Sequence, residues 1–220
     1  MMDDARKRTY RVLDPMDRIL EVLFGLIMVL TVTGSLSVAT DPHPDIRTML
    51  IGAIGCNLAW GIIDAGMYLM ARINERGSNI MTLRSIRNAA DIVTAQRVIA
   101  DALPPLLASV LPPDNFELMR QKLCELPEPA ARPGLTTADG LGAIAVFLLV
   151  FLSTFPVVIP FMFSGDAKFA LRISNAIAIA MLFVCGHVFG RCAGLPPWPM
   201  ALAMVAIGGC LVGVAVALGG

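Results

Sequence analysis

The chain has 220 residues, 56% hydrophobic and only 15% charged, with 17 basic side chains balancing 17 acidic ones. A mean hydropathy of +0.73 exceeds what the core of a soluble protein of this size requires, so composition excludes an ordinary water-soluble domain and indicates a membrane protein. Neutral net charge gives no reason to expect a nucleic-acid partner, and five cysteines (Cys56, Cys124, Cys185, Cys192, Cys210) without a CxxC spacing suggest neither a disulfide framework nor a zinc site.

The first eighteen residues are polar, mixing Arg6, Lys7, Arg8, Arg11 and Arg18 with four aspartates. The apolar run that follows, residues 19–38, has no small-residue cleavage signal and is expected to be a retained first span, not a signal peptide. Glu21 lies near its start, with Gly25, Met28, Val32 and Ser35 following on the same helical face. A second span is expected over 49–70. There Asn57, Gly61 and Asp64 share one face, and Trp60, placed near the midplane, needs an acceptor that Thr31, Thr33 or Ser35 of the first span can supply.

Residues 72–137 form a hydrophilic insert. Ile80, Leu83, Ile86, Ile92, Ile99 and Leu103 recur at helical spacing, which predicts amphipathic helices. After Pro104-Pro105 and Pro112-Pro113, Asp114 with Glu117 three residues later predicts an N-cap and another short helix, and "PEPAARPG" predicts an extended return to the membrane.

Three further spans are expected, over 140–163, 169–190 and 198–218. The third carries Pro156 and Pro160; these cannot donate to the carbonyls of Leu152 and Pro156, and lipid offers those oxygens no substitute. The span should therefore be kinked or broken and border protein or a wet cavity. Gly186, Gly190 and Gly194, and Gly209 with Gly213, form GxxxG steps that predict close helix packing.

All lysines and arginines except Arg47, Lys168 and Arg172 fall in the tail, the insert or the Arg191 loop. The positive-inside rule thus predicts a cytoplasmic N-terminus and insert and an external C-terminus. The expected architecture is an all-α integral membrane protein: a tail (1–18), two spans (19–71), the insert (72–137) and three spans (138–220).

In that topology Glu21, Asp64, Asp139 and His187 lie in the cytoplasmic third of the bilayer, with Met28 and Asn57 nearer the middle. Ionisable groups in spans are costly and tend to mark ion or proton paths, and carboxylate, imidazole and thioether donors suit a transition-metal cation. Asp64, Glu21, Met28 and Asn57 are accordingly the candidate metal residues, with Asp139 and His187 as proton or secondary ligands. Asp139 also suits a helix N-cap, and His187 a helix C-terminus. With only His43 and His187 and no HExxH, P-loop or GxSxG motif, an enzyme is not expected.

The order of two spans, a helical insert and three spans resembles the vacuolar iron transporter family, also called the yeast calcium cross-complementer family. "FPVVIPF" resembles that family's third span, "MALAMVAIGGCLVGVAVALGG" is similar to its last, and "FGLIMVLTVTGSLSVA" resembles its first, with a glycine-leucine step at Gly25-Leu26. The resemblance implies a homodimer in the lipid bilayer that moves ferrous iron or manganese out of the cytosol in exchange for protons, with no permanently bound cofactor. The family's acidic pair after the glycine-leucine step is here Ile27-Met28-Val29, leaving Glu21 as the acid of the first span, and the insert lacks a paired ExxE ladder. These departures favour an alternative, a non-transporting dimeric scaffold or sensor whose cytoplasmic helices bind a partner. With no organelle address in the tail or insert, a bacterial inner membrane is expected.

Overall fold

A computed structural model of the chain describes residues 15–38, 46–129, 131–164 and 167–217, and among them all regular structure is α-helical. In chain order the helices are α1 (Pro15–Val38), α2 (Ile46–Arg87), α3 (Ile92–Ala102), α4 (Pro105–Val110), α5 (Pro113–Glu125), α6 (Thr137–Ser153), α7 (Phe155–Phe163), α8 (Ala167–Ala193) and α9 (Pro197–Ala217). They form two compact units, a larger one of the described residues up to Tyr68 and from Thr137 onward, and a smaller one of Leu69–Thr136.

Within the described residues three stretches are long and apolar enough to cross a membrane: Leu50–Arg87, Thr137–Phe163 and Phe169–Ala193. Pro197–Cys210 is a shorter apolar helix. Large apolar side chains such as Ile51, Ile62, Leu141, Met162 and Leu202 are exposed on these helices. A membrane protein places such side chains against acyl chains.

The larger unit has its core where α1, α2, α7 and α8 meet. Leu26, Val29 and Leu30 pack with Ala53, Val157, Val158, Ala178 and Leu182. Since lipid is as apolar as these side chains, close packing and hydrogen bonds hold such helices together, and small residues permit the approach. Gly25 is the tightest case: a Cβ there would lie 2.0 Å from Ser153 Oγ and 2.8 Å from the Val150 carbonyl oxygen.

Gly186 and Gly190 pack on α9 as the spacing predicts; a Cβ on Gly186 would lie 2.8 Å from Ala201 Cα. The rest of the glycine pattern is corrected. Gly194 does not pack but ends α8 with φ of +71°, the left-handed turn that glycine adopts without strain, while Leu195 N–H donates to the Gly190 carbonyl at 2.8 Å. A Cβ on Gly209 or Gly213 would meet no described atom within 4 Å, and their neighbour Gly208 meets Leu182 instead.

The third apolar run is two helices. α6 ends at Ser153, Thr154 forms a turn, and α7 begins at Phe155. This places Pro156 in the first turn of α7, where a helix N–H has no intrahelical acceptor and its loss costs little. Thr154 N–H reaches the Phe151 carbonyl at 3.3 Å, and the Thr154 carbonyl accepts from Val157 and Val158 at 3.1 Å. Pro160 sits buried inside α7.

In the smaller unit Ile86, Ala95 and Ile99 form a core with Leu103, Phe116, Met119 and Leu123 around it. The helix that carries the second span continues past residue 70: α2 runs unbroken for 42 residues, because no proline interrupts the chain between Pro44 and Pro104. Two expectations are revised. Ile92 is exposed, not on the apolar face. Asp114 is not an N-cap, since α5 already begins at Pro113 with Pro112 at the cap position; the capping carboxylate is Asp91, whose Oδ1 accepts from Thr94 N–H at 2.6 Å at the start of α3.

The return segment after α5 is held by arginines of α2. Arg87 donates to the carbonyls of Leu123, Leu126 and Pro127, Arg84 to that of Ala131 and Arg76 to that of Gly134. Proline-rich chain cannot satisfy its carbonyls by forming a helix, and guanidinium groups, with five donors each, supply the missing partners.

Candidate functional site

Asn57, the middle of the polar face on α2, is fully buried. Its side-chain Nδ2 donates to the Gly25 carbonyl at 3.1 Å and to Thr154 Oγ1 at 2.5 Å, with the Val150 carbonyl at 3.5 Å as a weaker third acceptor. One amide thus joins α1, α2 and the break between α6 and α7. Gly25 matters here because its missing side chain lets the α1 backbone come close enough for its carbonyl to be reached.

The same amide leaves its oxygen unused. Asn57 Oδ1 is buried without a hydrogen-bond partner, and so is Asp64 Oδ2, two turns further along α2. Asp64 is 6% exposed. Two buried acceptors lacking donors are expensive in a membrane interior. Gly61 lies between them on the helix face, with the Phe147 ring against it; a Cβ there would lie 2.9 Å from that ring.

Glu21 is half-buried on α1, and its carboxylate lies within electrostatic reach of Asp64 and of Asp17. It forms no ion pair with Arg18. Met28, on the same helix, is half-buried two turns further on. Asp139 is buried, 4% exposed, in the first turn of α6, one turn before Gly142, against which the Tyr68 hydroxyl packs.

His187 is placed differently. Its ring stands edge-on to Trp198 of α9, with centroids 5.8 Å apart, and Phe183 meets the same indole at 5.6 Å. Among the described residues no three His, Cys, Asp or Glu side chains gather in a way that could hold a metal ion, so Glu21, Asp64, Asp139 and His187 do not form a ready-made centre. What the larger unit holds instead is two carboxylates within electrostatic reach of each other, Glu21 and Asp64, and the buried amide oxygen of Asn57.

The hydroxyls behave unevenly. Ser153 Oγ donates to the Val150 carbonyl in its own helix at 2.7 Å, while Thr154 accepts from Asn57. Ser174 of α8, not anticipated from sequence, is fully buried and donates to the Val157 carbonyl at 2.7 Å. A serine beside Arg172 and Asn175, just before the apolar run of α8, was the available signal. Trp60 packs on Phe24 with centroids 5.9 Å apart, and Thr31 turns its hydroxyl to the Ile27 carbonyl of its own helix. The side chains of Thr33 and Ser35 lie outside the described residues.

A family model described as the VIT family matches residues 85–220, which include Asp139 and His187 and begin after Glu21, Met28, Asn57 and Asp64. No curated protein matches the chain.

Proposed function

The chain belongs to the VIT family, a family of membrane metal-ion transporters, and from that premise we propose that it carries a divalent transition-metal cation, iron or manganese, out of the cytosol in exchange for protons. The observation that supports this reading is the pair of buried, donorless oxygens on α2, Asn57 Oδ1 and Asp64 Oδ2, with the Glu21 carboxylate within electrostatic reach of Asp64. A divalent cation entering between Asp64 and Glu21 replaces repulsion by two attractions. When it leaves, protons can neutralise the same carboxylates, and that coupling is what exchange requires.

In this reading Met28 and Asn57 contribute softer and neutral donors deeper along the path, and Asp139 and His187 act as secondary proton or metal groups. The chain crosses the membrane five times as a homodimer in a bacterial inner membrane, N-terminus and insert on the cytoplasmic side. Arg76, Arg84, Arg87, Arg97, Arg120 and Arg132 in the insert support that orientation by the positive-inside rule. The scaffold alternative keeps the same fold and assigns the buried acids to helix packing.

Flux separates the two. In liposomes loaded with a metal-sensitive dye, ferrous or manganous ions should enter under an imposed pH gradient, and Asp64→Asn should slow entry about tenfold or more while leaving the melting temperature within a few degrees. Absence of flux in the unaltered protein under either gradient direction would make it a scaffold. Normal flux in Asp64→Asn would remove Asp64 from the path.

A further inference from the structure

A groove of about 450 Å³ opens between α1, the α6–α7 pair and α8. Val22, Leu148, Leu149, Leu152 and Met181 give it an apolar wall, and among the described residues Arg18, in the first turn of α1, is its only charged lining residue. The wall runs from Ala145 to Pro156, about 16 Å at the helical rise. Of the polar side chains on it, Ser153 already spends its hydroxyl on the Val150 carbonyl. Arg18 is exposed and forms no ion pair with any described residue.

We propose that this groove is a binding site for an anionic phospholipid, with one acyl chain lying along the leucines and the phosphate paired with Arg18. Water has too few partners on such a wall to be held, so an apolar chain is the occupant that loses nothing by entering. A guanidinium at the first turn of a membrane helix is at headgroup level, and its fork of donors matches phosphate oxygens two at a time.

Charge also decides against a second copy of the chain. A twofold contact through this groove would bring two Arg18 side chains to the same depth with no carboxylate among the groove's described lining residues, whereas an anionic headgroup neutralises one. The proposal does not depend on metal transport: its wall contains neither Asp64, Glu21 nor Asn57.

The test is lipid-dependent thermal stabilisation of the detergent-purified full chain, titrated separately with dioleoyl phosphatidylglycerol, dioleoyl phosphatidylcholine and inorganic phosphate. Half-maximal stabilisation should need about fivefold less phosphatidylglycerol than phosphatidylcholine, the factor one basic side chain near a headgroup supplies. Arg18→Gln should erase that preference and Arg18→Lys should keep most of it. Leu148→Trp, which fills the groove from an exposed position, should weaken both lipids.

Equal response to the two lipids, a preference that survives Arg18→Gln, or the same stabilisation by inorganic phosphate alone would each overturn the proposal. So would efficient disulfide dimerisation in phosphatidylglycerol of a Leu148→Cys variant whose five native cysteines are replaced by serine, which would hand the groove to a second copy.

Discussion

Asn57 and Asp64 occupy the same helix face but have different work. The amide nitrogen of Asn57 ties three backbone segments together, so its removal leaves the Thr154 hydroxyl without its donor and strips the Gly25 carbonyl of the interhelical bond it accepts beside its helical one. Asn57→Ala should lower stability by about 2 kcal/mol or more, and Thr154→Val by less, because the Gly25 carbonyl keeps its donor in the second variant. Equilibrium unfolding in mixed micelles measures both, and equal losses would show that the Gly25 bond contributes nothing. That Asn57 and Asp64 matter is readable from sequence, since polar groups inside an apolar run stand out. Their partners are not readable: Thr154 and Gly25 lie 97 and 32 residues away from Asn57, and which rotation of α1 presents that carbonyl depends on packing.

At the level of elements, the break at Thr154 and the close approach at Gly25 act together. Gly25→Ala places a methyl into Ser153 Oγ and the Val150 backbone, so α1 must back away from α6 and the Asn57 bond to the Gly25 carbonyl lengthens. A loss of about 1 to 3 kcal/mol is expected. Adding Ser153→Ala should restore only part of it, because the Val150 oxygen stays; full recovery in the double variant would assign the clash to the hydroxyl alone.

In the smaller unit, Glu117 of α5 accepts from Arg120 at 2.7 Å, from Gln121 at 3.0 Å and from Gln96 of α3 at 3.5 Å. Arg120 and Gln121 hold its carboxyl down from 4.5 to about 2. A depressed carboxyl stabilises the fold above its unfolded value and stops doing so as pH falls through the folded one. Hydrogen exchange over α3 and α5 should therefore quicken as pH drops from 4.5 towards 2, beyond the intrinsic change, and Glu117→Gln should remove that added dependence. Helix periodicity announced these helices, but their starts were decided by Asp91 and by Pro113, where local donors and missing N–H groups outweigh the capping pattern around Asp114.

For the molecule as a whole, the two units are held by different physics. The larger unit has apolar side chains on its exterior and polar ones inside, while the smaller rests on an apolar core of Ile86, Ala95 and Ile99 and on arginines that satisfy a proline-rich return. Arg87→Met removes the donor to three carbonyls and should expose residues 126–136 to limited proteolysis while leaving metal flux through the larger unit largely unchanged. A parallel loss of flux would mean that the insert takes part in transport.

Composition, hydropathy and proline placement alone determined that this is a helical membrane protein with a folded insert and an interrupted third apolar run, because the free energy of burying backbone in lipid depends on local sequence. Tertiary structure alone decided that Asn57 bridges α1 to the break at Thr154, that Glu21 comes within electrostatic reach of Asp64 while His187 turns to Trp198, and that Gly208 packs where Gly209 was expected. Those outcomes turn on helix rotation and approach distance, which depend on contacts between residues far apart in the chain and leave no mark in the spacing of any one segment.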